Sequence, residues 1–466
     1  MIKSQISKSI FREYDIRGIV GKTLFENDAY ILGRGFCSFN KKKGLKTIVV
    51  CRDGRLSSPK ISNSLIEGIK VSGIDVVDIG CGPTPMLYFA SIFFNADAGI
   101  MVTGSHNPAD HNGFKIVLKN KSFYGNDIQK LYDFIIENKF ISGKGRLFKR
   151  NIQSEYESCL IEKSGPFPNL KVIWDCGNGA TGEVISNLVK NLPGDHRVLF
   201  SKIDGNFPNH HPDPSVDENL MSLKEEMRLE KADLGISFDG DGDRIGLLSK
   251  DRNIIPGDLL TAFLAGSILK KKKKQKIVLD IKSSQTAIKL IEDHGGLVEI
   301  SQTGHSLIKT KLKKIGAPLA GEMSGHIFFN DVWYGFDDAI YAALRCIQEI
   351  KLRSGGLNNF LNSIPESFAS PEIRIECNDN EKFNIVGKVK SFASDDYDRS
   401  KLIFLDGIRA SLENGWWLIR ASNTQAALIA RAEGVKEEDL DRHLEKMTRY
   451  LNQAGIKIDL KSHKYK

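Results

Sequence analysis

Strand-length apolar runs, each closed by a small-residue or glycine-rich turn, recur along this chain: TIVVCRDGRLSS, VVDIGCGPTP, AGIMVTGSHNP, KVIWDCGNGATG, LGISFDGDGDR and IVLDIKSS. Helix-like stretches follow the turns. Short runs that stay apolar at successive positions suit strands buried on both faces, so the alternation points to an α/β chain with largely parallel sheets. Ligands in such sheets gather at the loops beyond the strand C-termini. The polar signals of this sequence lie at those loops.

At roughly 100–200 residues per domain, 466 residues suggest three or four domains. Polar or pattern-breaking stretches near 142–153, 251–253 and 363–371 mark candidate boundaries. They divide the chain into 1–150, 151–252, 253–367 and 368–466. The last part lacks a comparable strand–turn–helix loop and ends in the amphipathic EEDLDRHLEKMTRYLNQAG, which reads as a smaller α+β domain. Seven scattered cysteines with no C-x-x-C pair argue against a disulfide or zinc framework and for a reducing compartment. The N-terminal residues lack the apolar core of a signal peptide, and no run approaches 18 apolar residues. A cytoplasmic location without a membrane partner is expected. The net charge of +8 suits an anionic substrate. The lysine run 270–274 sits between LLTAFLAGSIL and IVLDI, with no interleaved aromatics. It reads as a solvated helix end favoured by the dipole, so no nucleic-acid partner is expected.

Three loops carry the chemistry. In FDGDGDRIG, Asp239, Asp241 and Asp243 alternate with small residues between two strand-like runs. Three such carboxylates can converge on one hard cation and leave room for water or a phosphate oxygen, which suits Mg²⁺. The EF-hand pattern fails, with Arg244 at its sixth position and Lys250 at its twelfth. In TGSHNP, Ser105 follows the apolar run AGIMV on a tight turn that presents its hydroxyl. Alone this is an ordinary Asn-Pro turn; beside a metal loop, Ser105 becomes a site for a phosphoryl group whose charge the metal offsets. In GEMSGH, Glu322, Ser324 and His326 can bind sugar hydroxyls. Around these stand phosphate-directed cations: Arg12, Arg17, Arg52, Arg55, Lys115 and Lys282, with Arg420, Ser422, Asn423 and Thr424 in RASNT.

FREYDIRG, TGSHNP, DGDGDR, GEMSGH and RASNT, in that order, resemble the α-D-phosphohexomutases from about Phe11 to about Gly434. The resemblance implies three similar α/β domains with mixed sheets and a smaller, hinged fourth domain around a central cleft. It implies that Ser105 is phosphorylated and lies beside a metal held by Asp239, Asp241 and Asp243. Glu322 and Ser324 match the family's sugar loop, and Arg420, Ser422, Asn423 and Thr424 its phosphate clamp. Arg17, Lys115 and His326 match acid/base and transition-state groups, and Tyr14, Arg244, Lys282 and His305 other cleft positions. One departure is Thr424-Gln425-Ala426, where relatives commonly carry a proline; its loss loosens the loop's preset backbone.

The implied reaction interconverts hexose 1-phosphate and hexose 6-phosphate, mannose first and glucose as an alternative. It runs through phospho-Ser105 and a hexose 1,6-bisphosphate, with glucose 1,6-bisphosphate as activator. Expected partners are small hexose phosphates, bound by a monomer or weak dimer. Lys115 and His326 are both candidates for acid and base. Phosphoglucosamine mutase is an alternative, although relatives with that activity usually differ at Met323. A sugar-phosphate phosphatase and a non-catalytic sugar-phosphate binder are others.

Overall fold

A computed structural model describes residues 6–422 and 426–464. They form four sheets. The first contains β1 (Ile16–Ile19), β2 (Thr47–Arg52), β3 (Asp75–Cys81), β4 (Ala98–Val102), β5 (His111–Leu118), β6 (Lys121–Ser122) and β7 (Leu147–Lys149), in the order β1-β5-β4-β2-β3-β7 with β6 on β5. The second contains β8 (Leu170–Asp175), β9 (Gly194–Leu199), β10 (Leu234–Phe238), β11 (Ile245–Leu248) and β12 (Ile254–Ile255), in the order β12-β11-β10-β8-β9. The third contains β13 (Lys276–Asp280), β14 (Leu297–Ser301), β15 (Leu319–Gly321) and β16 (Ile327–Phe329), in the order β14-β13-β15-β16. The fourth contains β17 (Phe368–Ala369), β18 (Ile373–Glu376), β19 (Leu402–Ile403), β20 (Ile408–Leu412), β21 (Gly415–Ala421) and β22 (Ala427–Gly434), all antiparallel.

The first three sheets repeat one device. A strand that pairs parallel to its neighbour turns back at its C-terminal end into an antiparallel strand. β4 lies parallel to β2 and antiparallel to β5. β10 lies parallel to β8 and antiparallel to β11, and β15 parallel to β13 and antiparallel to β16. The sheets are therefore mixed. The serine loop, the aspartate loop and the GEMSGH loop occupy the same topological place in their sheets.

Helices follow TIVVC, VVDIGC, KVIWD and IVLD, at Ser58–Lys70, Thr84–Phe93, Gly182–Leu188 and Gln285–Asp293. AGIMV and LGISF are different: their turns lead into the antiparallel strands β5 and β11, not into helices. The residues HNGFKIVL contain the β-branched Ile116 and Val117 and are buried at every position after the first, which suits an interior strand. The polar stretch near 142–153 likewise contains the edge strand β7, paired with β3. Lys270 and Lys271 close the helix Gly257–Lys271, and the lysine run is exposed.

One apolar core runs through the first three sheets, from Val49 and Met86 through Trp174 and Phe238 to Phe263 and Tyr341. The fourth sheet and the helix Glu437–Gln453 enclose a separate core around Trp417, Leu444 and Tyr450. A small cluster of Ile281, Trp416 and Leu418 joins the two bodies. Arg409 crosses the same junction, donating to the carbonyls of Ile281 (2.8 Å) and Ser283 (2.5 Å). No described helix is long and apolar enough to cross a membrane.

Candidate active site

Ser105 sits in the β4–β5 turn with φ of +51°, 2% exposed. Two buried side chains hold this backbone in place. Asp53 accepts from the Gly104 amide (3.0 Å) and the Thr103 hydroxyl (2.9 Å). Arg55 pairs with Asp53 and donates to the carbonyls of Ser105 (2.7 Å), Asn107 (2.6 Å), Pro108 and His111 (3.1 Å). The Thr103 hydroxyl in turn accepts the Ser105 amide at 2.8 Å. Arg55 therefore braces the serine loop and has no place among phosphate contacts. Arg52 is also absent from the cleft; it lines a separate cavity with Asp78, Cys81 and Arg150.

The Ser105 hydroxyl donates to Asp239 at 2.8 Å, across from the first sheet to the second. The approach requires glycine at 240, where a Cβ would lie 2.5 Å from the Ser105 carbonyl. Asp239, Asp241 and Asp243 are fully buried, with candidate ligand oxygens within 4.8 Å of one another. Lys115 reaches them from β5, bonding Asp241 at 2.7 Å and also Asp243. Thr84 donates to Asp241 at 2.6 Å. Burial, together with the charges of Asp241 and Asp243, pushes the Asp239 carboxyl well above its usual range. Burial acts on Asp241 in the same direction, but the Lys115 ammonium outweighs it and holds that carboxyl low. One oxygen each of Asp241 and Asp243 is buried without a hydrogen-bond partner among the described residues. Three carboxylates, two of them with an orphaned oxygen, form a hard, anionic donor set that fits a divalent cation.

His326 follows on the GEMSGH turn. Arg244 donates through Nε to His326 Nε2 at 3.1 Å, so the imidazole accepts there and turns Nδ1 toward the acidic side chains. That nitrogen lies 3.3 Å from Asp337 and 3.7 Å from Asp243. Asp337 also bonds His305 Nδ1 (3.1 Å) and Lys309 (2.8 Å). Burial, with Lys309 nearby, pushes His305 down to about 4. Asp337 was not singled out in the sequence. Asp338 caps the helix Ala339–Leu352, accepting from the Tyr341 amide at 2.9 Å, while Asp337 faces the histidines. His106, inside the serine motif, was not singled out either; its Nδ1 lies 3.3 Å from the Ser105 hydroxyl.

Above the aspartates lies a cavity of about 960 Å³. Arg12, Tyr14, Arg17, Ser105, Lys115 and Arg244 line it from the first two sheets, and Lys282, His305, Glu322, Ser324 and His326 from the third. Arg420 and Ser422 line it from the fourth, as does Arg431, which the sequence did not single out. Arg17 bonds the Gly104 carbonyl at 3.2 Å and pairs with Asp15. Tyr14 bonds the Thr303 carbonyl at 2.9 Å. Lys282 pairs with Glu372 at 3.1 Å, and Arg420 with Asp406 at 3.0 Å, leaving its terminal nitrogens for other acceptors. One oxygen of Glu322 is buried without a hydrogen-bond partner among the described residues, and burial raises this carboxyl. Asn423 and Thr424, with Gln425, lie outside the described residues.

Cationic side chains thus surround a polar cleft with a serine hydroxyl and an acidic cluster at its floor. Such an arrangement can bind a phosphorylated polyol and stabilise charge on a transferring phosphoryl group. Matches to family models agree. Residues 8–142, 149–252 and 256–368 match domains I, II and III of phosphoglucomutase/phosphomannomutase, described as alpha/beta/alpha domains, and 372–449 match the C-terminal domain. A phosphomannomutase/phosphoglucomutase of Pseudomonas putida is 40% identical over 442 residues, 95% of either chain. A phosphoglucomutase of Neisseria meningitidis serogroup A is 38% identical over 441 residues, 94% of this chain and 96% of that one. The crystal structure of a Burkholderia thailandensis phosphoglucomutase/phosphomannomutase family protein superposes with a TM-score of 0.90 at 38% identity, covering 96% of this chain and 98% of that one. The chain belongs to the phosphoglucomutase/phosphomannomutase family.

Proposed function

We infer that this phosphohexomutase interconverts hexose 1-phosphates and hexose 6-phosphates by way of a phosphoryl group carried on Ser105. Mannose phosphates are the first substrates and glucose phosphates the second. The observation that carries the reading is the Ser105 hydroxyl, hydrogen-bonded to Asp239 beneath a cleft lined on its other walls by cationic side chains.

In the first half of the cycle the bond between phosphorus and Ser105 Oγ breaks and a bond from phosphorus to the sugar's free hydroxyl oxygen forms. His326 takes the hydroxyl proton while the Lys115 ammonium gives one to the departing Ser105 Oγ, and the products are a hexose 1,6-bisphosphate and free Ser105. The bisphosphate turns end for end, and Ser105 Oγ takes the other phosphoryl group, returning its proton to Lys115 while His326 returns one to the sugar oxygen left behind. Arg420 and Ser422 hold the phosphate that is not reacting, and Glu322 and Ser324 orient the sugar hydroxyls. Arg17 and Arg244 stabilise the charge of the transferring group. Asp239, Asp241 and Asp243 would hold Mg²⁺, which when bound supplies positive charge to the phosphoryl oxygens. Glucose 1,6-bisphosphate would charge a dephosphorylated serine.

The separate core of the fourth sheet suits a body that moves as the intermediate turns. On this reading the four parts 1–150, 151–252, 253–367 and 368–466 each contribute one loop. The enzyme works on this reading as a cytoplasmic monomer or weak dimer.

The test is an activity panel on mannose, glucose and glucosamine 1-phosphates with Mg²⁺ and trace bisphosphate, run on the wild type and on Ser105→Ala. The expected result is turnover of the mannose and glucose esters that falls by at least about 10³-fold in the variant. Near-normal mutase activity in Ser105→Ala overturns the reading. Free inorganic phosphate as the main product assigns a phosphatase instead.

A further inference from the structure

A second cavity, of about 500 Å³, lies between the first and third sheets and shares no lining residue with the central cleft. Its walls include Tyr88 and Ile92 from the helix Thr84–Phe93, Val117 from β5, and Phe336. The rings of Tyr88 and Phe336 stand 5.4 Å apart. Four lysines also line it: Lys121, Lys309, Lys313 and Lys314. Their charges are not equivalent. Lys309 is buried against the Tyr88 ring at 4.4 Å and is balanced by Asp337. Lys313 donates to the Asn120 carbonyl at 2.9 Å. Lys121, Lys313 and Lys314 stand exposed at the rim of the cavity and pair with no carboxylate among the described residues. Burial, then the neighbouring charges of Lys309 and Lys121, make the Lys313 ammonium easier to deprotonate than usual. The Ser122 hydroxyl in the lining is shielded from solvent and has no hydrogen-bond partner among the described residues.

An anion would balance the three unpaired ammoniums, and a hydroxyl without a partner could donate to it. The aromatic and aliphatic walls disfavour a hexose, whose hydroxyls would lose hydrogen bonds there. The size lies within the range of small-molecule pockets, about 300–1,000 Å³. We propose that this cavity is a second ligand site, taking a small anion with an apolar ring-sized body: an aryl phosphate, sulfonate or carboxylate. The ring packs on Tyr88, Ile92 and Phe336, and the anion lies among Lys121, Lys313 and Lys314.

The experiment uses the full chain with Mg²⁺ and saturating glucose 1,6-bisphosphate, titrated with 8-anilinonaphthalene-1-sulfonate and read by fluorescence. One saturable site is expected with the bisphosphate present. Joint Lys313→Ala and Lys314→Ala substitution should weaken it about tenfold by removing two cation contacts. Ile92→Trp, which fills the apolar wall, should abolish it. Hexose phosphate turnover should stay within about twofold in the lysine variant, since neither residue lines the central cleft. Displacement of the dye by bisphosphate, wild-type affinity in both variants, or no saturable binding at all overturns the proposal.

Discussion

Arg55 offers the sharpest test of how the serine loop is held. Its guanidinium is fully buried, stacks 5.2 Å from the Phe207 ring, pairs with Asp53 and donates to four loop carbonyls. Replacing it in Arg55→Met removes one partner of a buried ion pair, a change that costs about 3–5 kcal/mol. For a domain of this size that is a fall in Tm of roughly 6–20 °C, at about 2–4 °C per kcal/mol. The stranded carbonyls would also let the Ser105 backbone relax. A displacement near 1 Å at a reacting group costs about 10²-fold in rate. The loss should fall on kcat and leave KM within about threefold, because Arg55 does not line the cleft. Arg55→Lys keeps the charge but not the fork, and should recover part of the stability and little of the rate. Differential scanning calorimetry and steady-state kinetics on purified variants supply both readouts. A phosphate-binding Arg55 would give the opposite split, a raised KM with an unchanged Tm, and that outcome refutes the brace.

Other expectations follow from the same geometry. His305, lowered from 6.5 to about 4, is buried neutral, so the unfolded chain binds its proton first as the pH falls. Its contribution should be constant above pH 6.5 and lost between there and pH 4, by about 3 kcal/mol in all. Urea denaturation at stepped pH should show this slope in the wild type and a shallower one in His305→Gln; superimposable curves would argue against it. Arg420→Met should raise KM for both the 1-phosphate and the 6-phosphate, each by about 30–100-fold, as expected for one charge-assisted contact. An effect on only one of the two esters would contradict a clamp that serves both ends of the sugar. Dialysis against EDTA should abolish turnover, and added Mg²⁺ should restore it in the wild type but not in Asp241→Asn. Full activity after chelation would remove the metal from the reading.

The strands, their turns and the residues that meet at the cleft were legible in the sequence, because each is a local signal. AGIMV, LGISF and IVLD carry strand length and burial in their own composition, and the loops that end them carry their polar groups within a few residues. Arg55 was misread for the same reason. An arginine in a glycine-bearing turn suits a phosphate equally well; only the fold of the 103–111 backbone around it turns its donors onto carbonyls. Asp337 was silent because its partners, His305 and His326, come from different turns of the third sheet. The similar placement of the serine, aspartate and GEMSGH loops was likewise hidden. Their residues differ throughout, and the likeness lies in strand direction, which hydrogen bonds between distant segments set. By itself the sequence determined which segments become buried strands and which short loops carry charge and hydroxyl groups, since both depend on neighbouring residues. Tertiary structure alone decided which charges face the cleft and which are consumed in bracing it, because a buried cation is committed by whichever acceptors the folded chain brings to it.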